Sequence, residues 1–551
     1  GKAADRDNTC IYNCSYLPVD DVKSFDEAMF ILLCGTGVGF SVESKYTNKL
    51  PEVPERLFES EHFITVADSK EGWAKAYRLL IASLYAGEIP KWDVSKVRAA
   101  GTPLKTFGGR ASGPEPLVDL FQFTIKTFRG ALGRKLNTLE CHDLMCKIGE
   151  VVVVGGVRRS AMISLSDLND ERIRHAKSGN WWETHPHRAL ANNSAVYETK
   201  PTVGTFLEEW TSLYNSHSGE RGIFNREAAK KMVSKYGKRD ADFEFGTNPC
   251  SEIILRPYQF CNLTEVMVRP DDTLDSLKQK VRMAAILGTI QATFTHFPYL
   301  RKVWQRNTEE ERLLGVSLTG IYDHEVMGSY KSAPLWLDQL REVAEAANAE
   351  FADLLGIPRS TAITAVKPSG TVSQLTDTAS GIHPRHAPFY IRRVRGDNKD
   401  PLTQFLISQG VPAEPCVMKP NTTTVFSFPQ RAPEGLVTRD DVDAIKHLEL
   451  WLTYQRYWCE HKPSVTISVT EQEWPKVGAF VWEYFDEMSG VSFLPHDGGT
   501  YRQAPYETCD AAQYNKLLAE MPAIDWHAFS ENRDNVEGAQ MLACVAGVCE
   551  I

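Results

Sequence analysis

No stretch of these 551 residues approaches the roughly 20 consecutive apolar positions that a membrane-spanning helix needs. No signal peptide is read at the start, which opens Gly-Lys. Positive charge is not in excess: 61 Lys and Arg stand against 71 Asp and Glu, a formal net charge of −10. That balance argues against nucleic acid or an anionic membrane surface as the main partner, although a local basic pocket for phosphates is still allowed. Internal repeats and low-complexity blocks are missing. So is a Walker loop, and the glycine-rich "CGTGVGF" (34–40) does not match GxGxxG. Cysteine, by contrast, is plentiful: twelve residues, at 10, 14, 34, 141, 146, 250, 261, 416, 459, 509, 544 and 549. In a long acidic chain without a leader the expectation is a cytoplasmic protein whose thiols stay reduced, with any disulfide catalytic rather than structural. Most of the twelve should be small core residues.

With 42% hydrophobic and 10% aromatic residues the chain can bury a large core, as three or four domains or as one big barrel with insertions. Short β-branched runs alternate with longer helical stretches. "VVVV" (151–154), "GVSLTG" (315–320), "AITAV" (362–366) and "SVTISV" (464–469) read as strands. "EGWAKAYRLLIASLYAG" reads as a helix with Trp73, Tyr77, Leu80 and Leu84 on one face, a cap-like Asp68-to-Glu71 spacing and Gly87 as its stop. "LKQKVRMAAILGTIQATF" and "DVDAIKHLELWLTYQRYW" are further helices. Strands alternating with helices imply an α/β fold with largely parallel strands.

Chemistry concentrates in a few segments. In "NPCSE" (248–252) an amide, a thiol and a carboxylate occupy alternate positions. If the segment is extended, Asn248, Cys250 and Glu252 face one spot, with Glu252 a candidate general base and Asn248 able to orient a hydroxyl. A turn holding a buried cysteine explains Asn-Pro equally well. Cys261 follows Cys250 by eleven residues, too far for a metal knuckle. At the C-terminus Cys544 and Cys549 sit five apart behind the polar "ENRDNVEG". A tethered dithiol can reach its own active site and still swing out to a reductant; a zinc half-site is the alternative. Cys141 and Cys146 ("CHDLMC") repeat that spacing but look helical, and read as core cysteines. In "KPSGTVSQL" (367–375), Ser369, Gly370, Thr371 and Ser373 could open a helix whose N–H groups bind phosphate, or simply cap it. "GGVRRSAMISL" places Arg158 and Arg159 on a glycine-hinged loop suited to phosphate or nucleobase, or to plain solvent.

Together "NCSYLPVDD", "GTGVGFSVE", "FGGRASGPEPL", "GGVRRSAMISL", "NPCSE", "KPSGTVS", "SGIHPRHAPFYIRR", "SGVSFLPHDGGTYRQAPYE" and the terminal cysteine pair resemble the adenosylcobalamin-dependent (class II) ribonucleotide reductases, nearest to the monomeric ribonucleoside-triphosphate type. The resemblance implies a ten-stranded α/β barrel of two parallel five-stranded halves, with a central finger loop carrying the radical cysteine. It makes Cys250 the thiyl carrier, Glu252 the base for the ribose 3′-hydroxyl and Asn248 the group that holds the ribose hydroxyls. Cys14 and Cys261 become the redox-active pair, Cys14 being preferred to Cys10, and Cys544 and Cys549 the shuttle to thioredoxin or a similar dithiol. It places substrate against Ser15, Gly37, Gly39, Ser369, Gly370, Thr371 and Ser373. Asp68, Arg158 and Arg159 fall to a dNTP or ATP effector and the specificity loop, within about 40–165. The cofactor implied is adenosylcobalamin, with no metal bound directly by the protein. The implied organisation is a catalytic barrel over 1–525 and a mobile tail over 526–551, as a monomer or a homodimer. Only thirteen residues precede Cys14, so the family's N-terminal region is expected to be missing. The rivals are a class I or dimeric class II diphosphate reductase, the glycyl-radical class, a catalytically silent nucleotide binder on the same scaffold, and a zinc-binding structural protein.

Overall fold

The computed structural model describes residues 2–102, 111–154, 162–398, 400–417, 420–496, 503–529, 544–545 and 548–549. Its centre is a ten-stranded sheet. In chain order the strands are β1 (Cys14–Pro18), β2 (Gly37–Ser41), β3 (Met162–Asp167), β4 (Ala191–Tyr197), β5 (Gly222–Asn225), β6 (Gln259–Met267), β7 (Leu314–Thr319), β8 (Thr364–Ala365), β9 (Val465–Val469) and β10 (Val491–Pro495). In space they run β8-β7-β6-β1-β2-β3-β4-β5-β10-β9. Strands β1 to β5 are mutually parallel. So are neighbours within the second set. The two sets meet antiparallel at β1/β6 and at β5/β10.

The remaining edges also meet. Val366, just past β8, bridges in parallel to Pro463, just before β9. The Val366 amide donates to the Lys462 carbonyl at 3.2 Å and the Ser464 amide to the Val366 carbonyl at 2.8 Å. Through this bridge the sheet closes on itself, as two five-stranded parallel halves.

Alternation sorts the side chains into layers. Leu17, Val38, Phe40 and Phe260 point outward into the core shared with the first set of helices. The helices over the second half cover another core, containing Leu314, Val316, Leu318, Trp451 and Ile467. The lumen holds its own cluster, with Cys14, Tyr16, Ile163, Leu165, Val196, Phe224 and Cys261 from the strands and Ile253 and Leu255 from a hairpin inside the barrel.

The strands read at 315–320, 362–366 and 464–469 are present as β7, β8 and β9. "VVVV" is not a strand: it is the last turn of a helix, Thr138–Val154. Asn137 and Glu140 start that helix with reciprocal side-chain-to-amide bonds of 2.9 Å each way. Buried Cys141, Leu144, Met145, Ile148, Val151 and Val152 then follow the helical period. Packing on that face outweighs the modest helix penalty of β-branched residues. The expected helix after Asp68 spans Lys70–Tyr85, but its cap is Ser69, whose hydroxyl accepts from the Gly72 amide at 2.9 Å. The Asp68 carboxylate pairs instead with Arg98 at 2.8 Å. Cys141 and Cys146 are core residues, Cys146 Sγ lying 3.5 Å from His142 Nε2. Among the described residues no helix is long and apolar enough to cross a membrane.

Candidate active site

The hairpin in the lumen carries "NPCSE". Its arms pair antiparallel, Gly246 with Leu255 and Thr247 with Ile254. Residues 248–251 make the tip, closed by the Ser251 amide donating to the Asn248 carbonyl at 2.9 Å. Ser251 has φ +65°, a left-handed conformation that costs a side-chain-bearing residue about 1–2 kcal/mol. The segment is thus a turn and not the extended strand of the alternation argument. Asn248 and Glu252 still converge, because the two arms face each other. The Ile253 amide donates to Asn248 Oδ1 at 3.0 Å, which fixes the amide's orientation.

The hairpin needs room, and glycines supply it. A Cβ on Gly39 would lie 1.7 Å from the Thr247 carbonyl oxygen, one on Gly37 2.9 Å from Pro249 Cγ, and one on Gly246 2.2 Å from the Tyr16 ring. The glycines of β2 therefore face the hairpin's backbone. Ser15 is misplaced in the substrate set: alternation puts it on the outward face with Leu17, where its hydroxyl donates to the Gly37 carbonyl at 2.8 Å.

Cys14 and Cys261 are opposite each other across the β1/β6 junction, although 247 positions separate them in sequence. Both are wholly buried thiols. Cys10 lies outside β1, its thiol donating to the Asp7 carbonyl at 3.7 Å. Asn248 Nδ2 donates to Cys14 Sγ at 3.2 Å, and Cys14 Sγ is 4.0 Å from Glu252 Oε1. Burial pushes both thiols well up, and the Glu252 carboxylate adds to it; Lys367 opposes on Cys14 and Arg239 on Cys261. At neutral pH the pair holds its protons. Glu252 is fully buried, and among the described residues its Oε2 has no hydrogen-bond partner. A buried acceptor left open is costly, so it reads as a place kept for a ligand hydroxyl.

Three cationic or acidic groups here escaped the sequence reading. Lys367 Nζ lies 3.9 Å from Glu252 Oε1. Burial works to lower this ammonium, but Cys250, Glu252, Cys14 and Glu265 outweigh it and hold it above its ordinary value. Glu265 stands four residues beyond Cys261 on the same face of β6, its carboxyl raised by burial against the pull of Ser369 and Lys367. Lys462 is fully buried, with Nζ 3.2 Å from Ser251 Oγ and 3.4 Å from Thr247 Oγ1. A signal for both lysines was there: "KPS" occurs at 367–369 and again at 462–464, each beside a strand.

The remaining candidates divide. Ser369 and Ser373 tie their loop together: Ser369 Oγ accepts from the Ser373 amide at 3.1 Å, and the Ser373 hydroxyl donates to the Ser369 carbonyl. Gly370 stands at the head of the short helix Thr371–Thr376, and Thr371 is exposed. Cys544 and Cys549 are register partners in a two-stranded antiparallel ladder. Arg158 and Arg159 lie outside the described residues.

A model for the insertion domain of B12-dependent ribonucleotide reductases matches residues 44–127. These residues follow β2 and carry the paired strands Phe58–Thr65 and Glu88–Asp93 and the helices Lys70–Tyr85 and Glu115–Arg129. The adenosylcobalamin-dependent ribonucleoside-triphosphate reductase of Euglena gracilis is 29% identical over 99% of this chain and 74% of its own length. The reductase of the same name from Levilactobacillus brevis is 28% identical over 98% of this chain and 81% of its own. A solved B12-dependent (class II) ribonucleotide reductase superposes with TM-score 0.79 at 25% identity, covering 93% of this chain and 82% of that one. The chain thus resembles the class II ribonucleotide reductases over nearly its whole length. The family match spans barrel and insertion together, and the closed ten-stranded sheet agrees with it.

Proposed function

We propose that this chain reduces ribonucleotides, as the triphosphates, to 2′-deoxyribonucleotides with adenosylcobalamin as radical source. The observation that carries the reading is the meeting of Cys14, Cys261, Asn248 and Glu252 in one lumen, from β1, β6 and the hairpin. Fit to the cofactor rests on exposure. Cys14 and Cys261 are sealed, whereas Cys250 at the hairpin tip is partly exposed and is the thiol a group docking from outside would meet. When bound, the cofactor supplies a radical by homolysis of its cobalt–carbon bond.

The chain's residues then divide the work. Cys250, as a thiyl, takes the 3′-hydrogen of the ribose and returns it once the 2′-carbon has been reduced. The open Glu252 oxygen takes the 3′-hydroxyl proton. Asn248, oriented by the Ile253 amide, holds the ribose hydroxyls. The Lys367 ammonium stands beside Glu252 Oε1 as its counter-charge. The 2′-hydroxyl leaves as water while the Cys14–Cys261 dithiol gives two electrons and two protons and becomes a disulfide. The loop at Ser369, Gly370, Thr371 and Ser373 receives the phosphates. Gly37 and Gly39 act by admitting the hairpin, and so shape the substrate's floor. Cys544 and Cys549, on the tail beyond about 526, re-reduce the disulfide by thiol exchange and pass the oxidation to thioredoxin or a similar dithiol. Asp68, with Arg158 and Arg159, serves a dNTP or ATP effector.

The test is an assay for deoxynucleotide with adenosylcobalamin, a ribonucleoside triphosphate and a dithiol. Cys250→Ser is expected to abolish product. Cys544→Ser is expected to keep turnover with a small dithiol and lose it with thioredoxin; equal loss with both reductants would dismiss the shuttle. No product from the parent chain under any reductant would dismiss the activity itself.

A further inference from the structure

The hairpin tip is held from one side by a single segment of chain, residues 460–462, between the helix Ala444–Tyr457 and β9. The Lys462 amide donates to the Glu252 carbonyl at 3.0 Å. The Ile254 amide donates to His461 Nδ1 at 3.3 Å, while His461 Nε2 is tied to the Leu314 carbonyl of β7 at 2.9 Å. The same segment is fastened to β8, the Glu460 and His461 amides both donating to the Thr364 carbonyl. From this base the Lys462 side chain crosses over the Phe224 ring, 4.7 Å from its centroid, and ends between Ser251 Oγ and Thr247 Oγ1.

A fully buried amine without a carboxylate within 4 Å among the described residues is an unusual thing for a fold to keep. Its two hydroxyl partners are the residue after the radical cysteine and the last paired residue before the tip. Ser251 is also the left-handed residue on which the turn depends. Gly490 closes the other side: a Cβ there would lie 2.7 Å from the Ser251 carbonyl oxygen and 3.5 Å from Lys462 Nζ. The amine is thus enclosed by Ser251, Thr247, Phe224 and Gly490.

We propose that Lys462 is a positioning residue for the radical cysteine: by holding the Ser251 and Thr247 hydroxyls it fixes the hairpin tip and so aims Cys250 and Glu252 at the ribose. It touches neither substrate nor reacting atom and works through the turn. A tip free to rock would leave binding intact and misplace the reacting thiol, where small displacements are severe. The inference rests on the proposed radical role of Cys250 for its kinetic arm only.

The experiment uses the full chain carrying Lys462→Met, which keeps an unbranched apolar stem and removes the amine. Two readouts are taken at pH 7.5. The first is the rate of Cys250 alkylation by iodoacetamide, followed by mass spectrometry without cofactor or substrate. The second is steady-state reduction. Expected are a tenfold or greater change in the Cys250 alkylation rate, unchanged rates at Cys10 and Cys509, a melting midpoint no lower than the parent's, and a hundredfold fall in kcat with KM within twofold. Parental alkylation and parental kcat would overturn the proposal, as would a rise in KM at constant kcat. If Lys462→Met does not fold, Lys462→Gln, one bond shorter and uncharged, is measured against the same outcomes. If the parent reduces no ribonucleotide, the proposed function fails, and the alkylation rates still decide the role of Lys462.

Discussion

At the scale of residues, the lumen is governed by burial rather than by composition. The two strand cysteines keep their protons because the barrel wall and Glu252 both oppose a thiolate. The same burial acts oppositely on Lys462, lowering its ammonium from 10.5 to about 7 against the pull of Glu252. Between about pH 7 and 10.5 the unfolded lysine is charged while the folded one loses its proton, so Lys462 destabilises the fold increasingly as pH falls across that window. Below it the penalty is constant, on the order of a few kcal/mol. Lys462→Met removes the penalty, and hydrogen bonds with it. Its melting midpoint relative to the parent's should therefore be highest at pH 7 and decline toward pH 10. A difference that stays flat over this range would mean the amine titrates normally. The expectation of converging Asn248 and Glu252 was legible from five letters. That Ser251 must turn left-handed to allow it was not, because a serine gives no sign of that preference.

At the scale of elements, the hairpin and β2 are made for each other. The glycine spacing of "GTGVGF" invited a ligand-loop reading, and the structure gives it a mechanical one: backbone crosses backbone at Gly39. Gly39→Ala should cost about 1–3 kcal/mol and lower turnover at least tenfold, since the Thr247 carbonyl cannot retreat without moving the tip. Gly204→Ala is the matched control. It lies in the helix Val203–Ser216, with nothing within 4 Å of the new carbon, and should be neutral or slightly stabilising. Equal melting and equal turnover for the two variants would refute the close crossing. The helix Thr138–Val154 teaches the converse. Four successive valines favour a strand locally, and only a cap at Asn137 and a buried face on the 3.6 period overrule them.

At the scale of the whole molecule, the decisive feature is closure. One parallel bridge at Val366 and Pro463 joins sheet edges that would otherwise be open, and it lies beside both Lys-Pro-Ser segments. The amides of Val366 and Ser464 should then exchange hydrogen as slowly as mid-strand amides of β3, by global rather than local opening. Loop-like exchange there would mean an open sheet, and a lumen too loose to hold the site. The sequence by itself determined the alternating α/β character, β7, β8 and β9, the helix after Asp68, and the roster of thiol, amide and acid. Those follow from local periodicity and from motifs whose residues lie within a few positions of one another. Tertiary structure alone decided that Cys14 and Cys261 are neighbours, that Ser15 faces away from them, that the glycines of β2 admit a hairpin, and that Lys367 stands beside Glu252 while Lys462 holds the hairpin tip. Each of these depends on which strands pair and in what register. A shift of one residue would send every side chain to the opposite face, and nothing in a linear string of letters states the register.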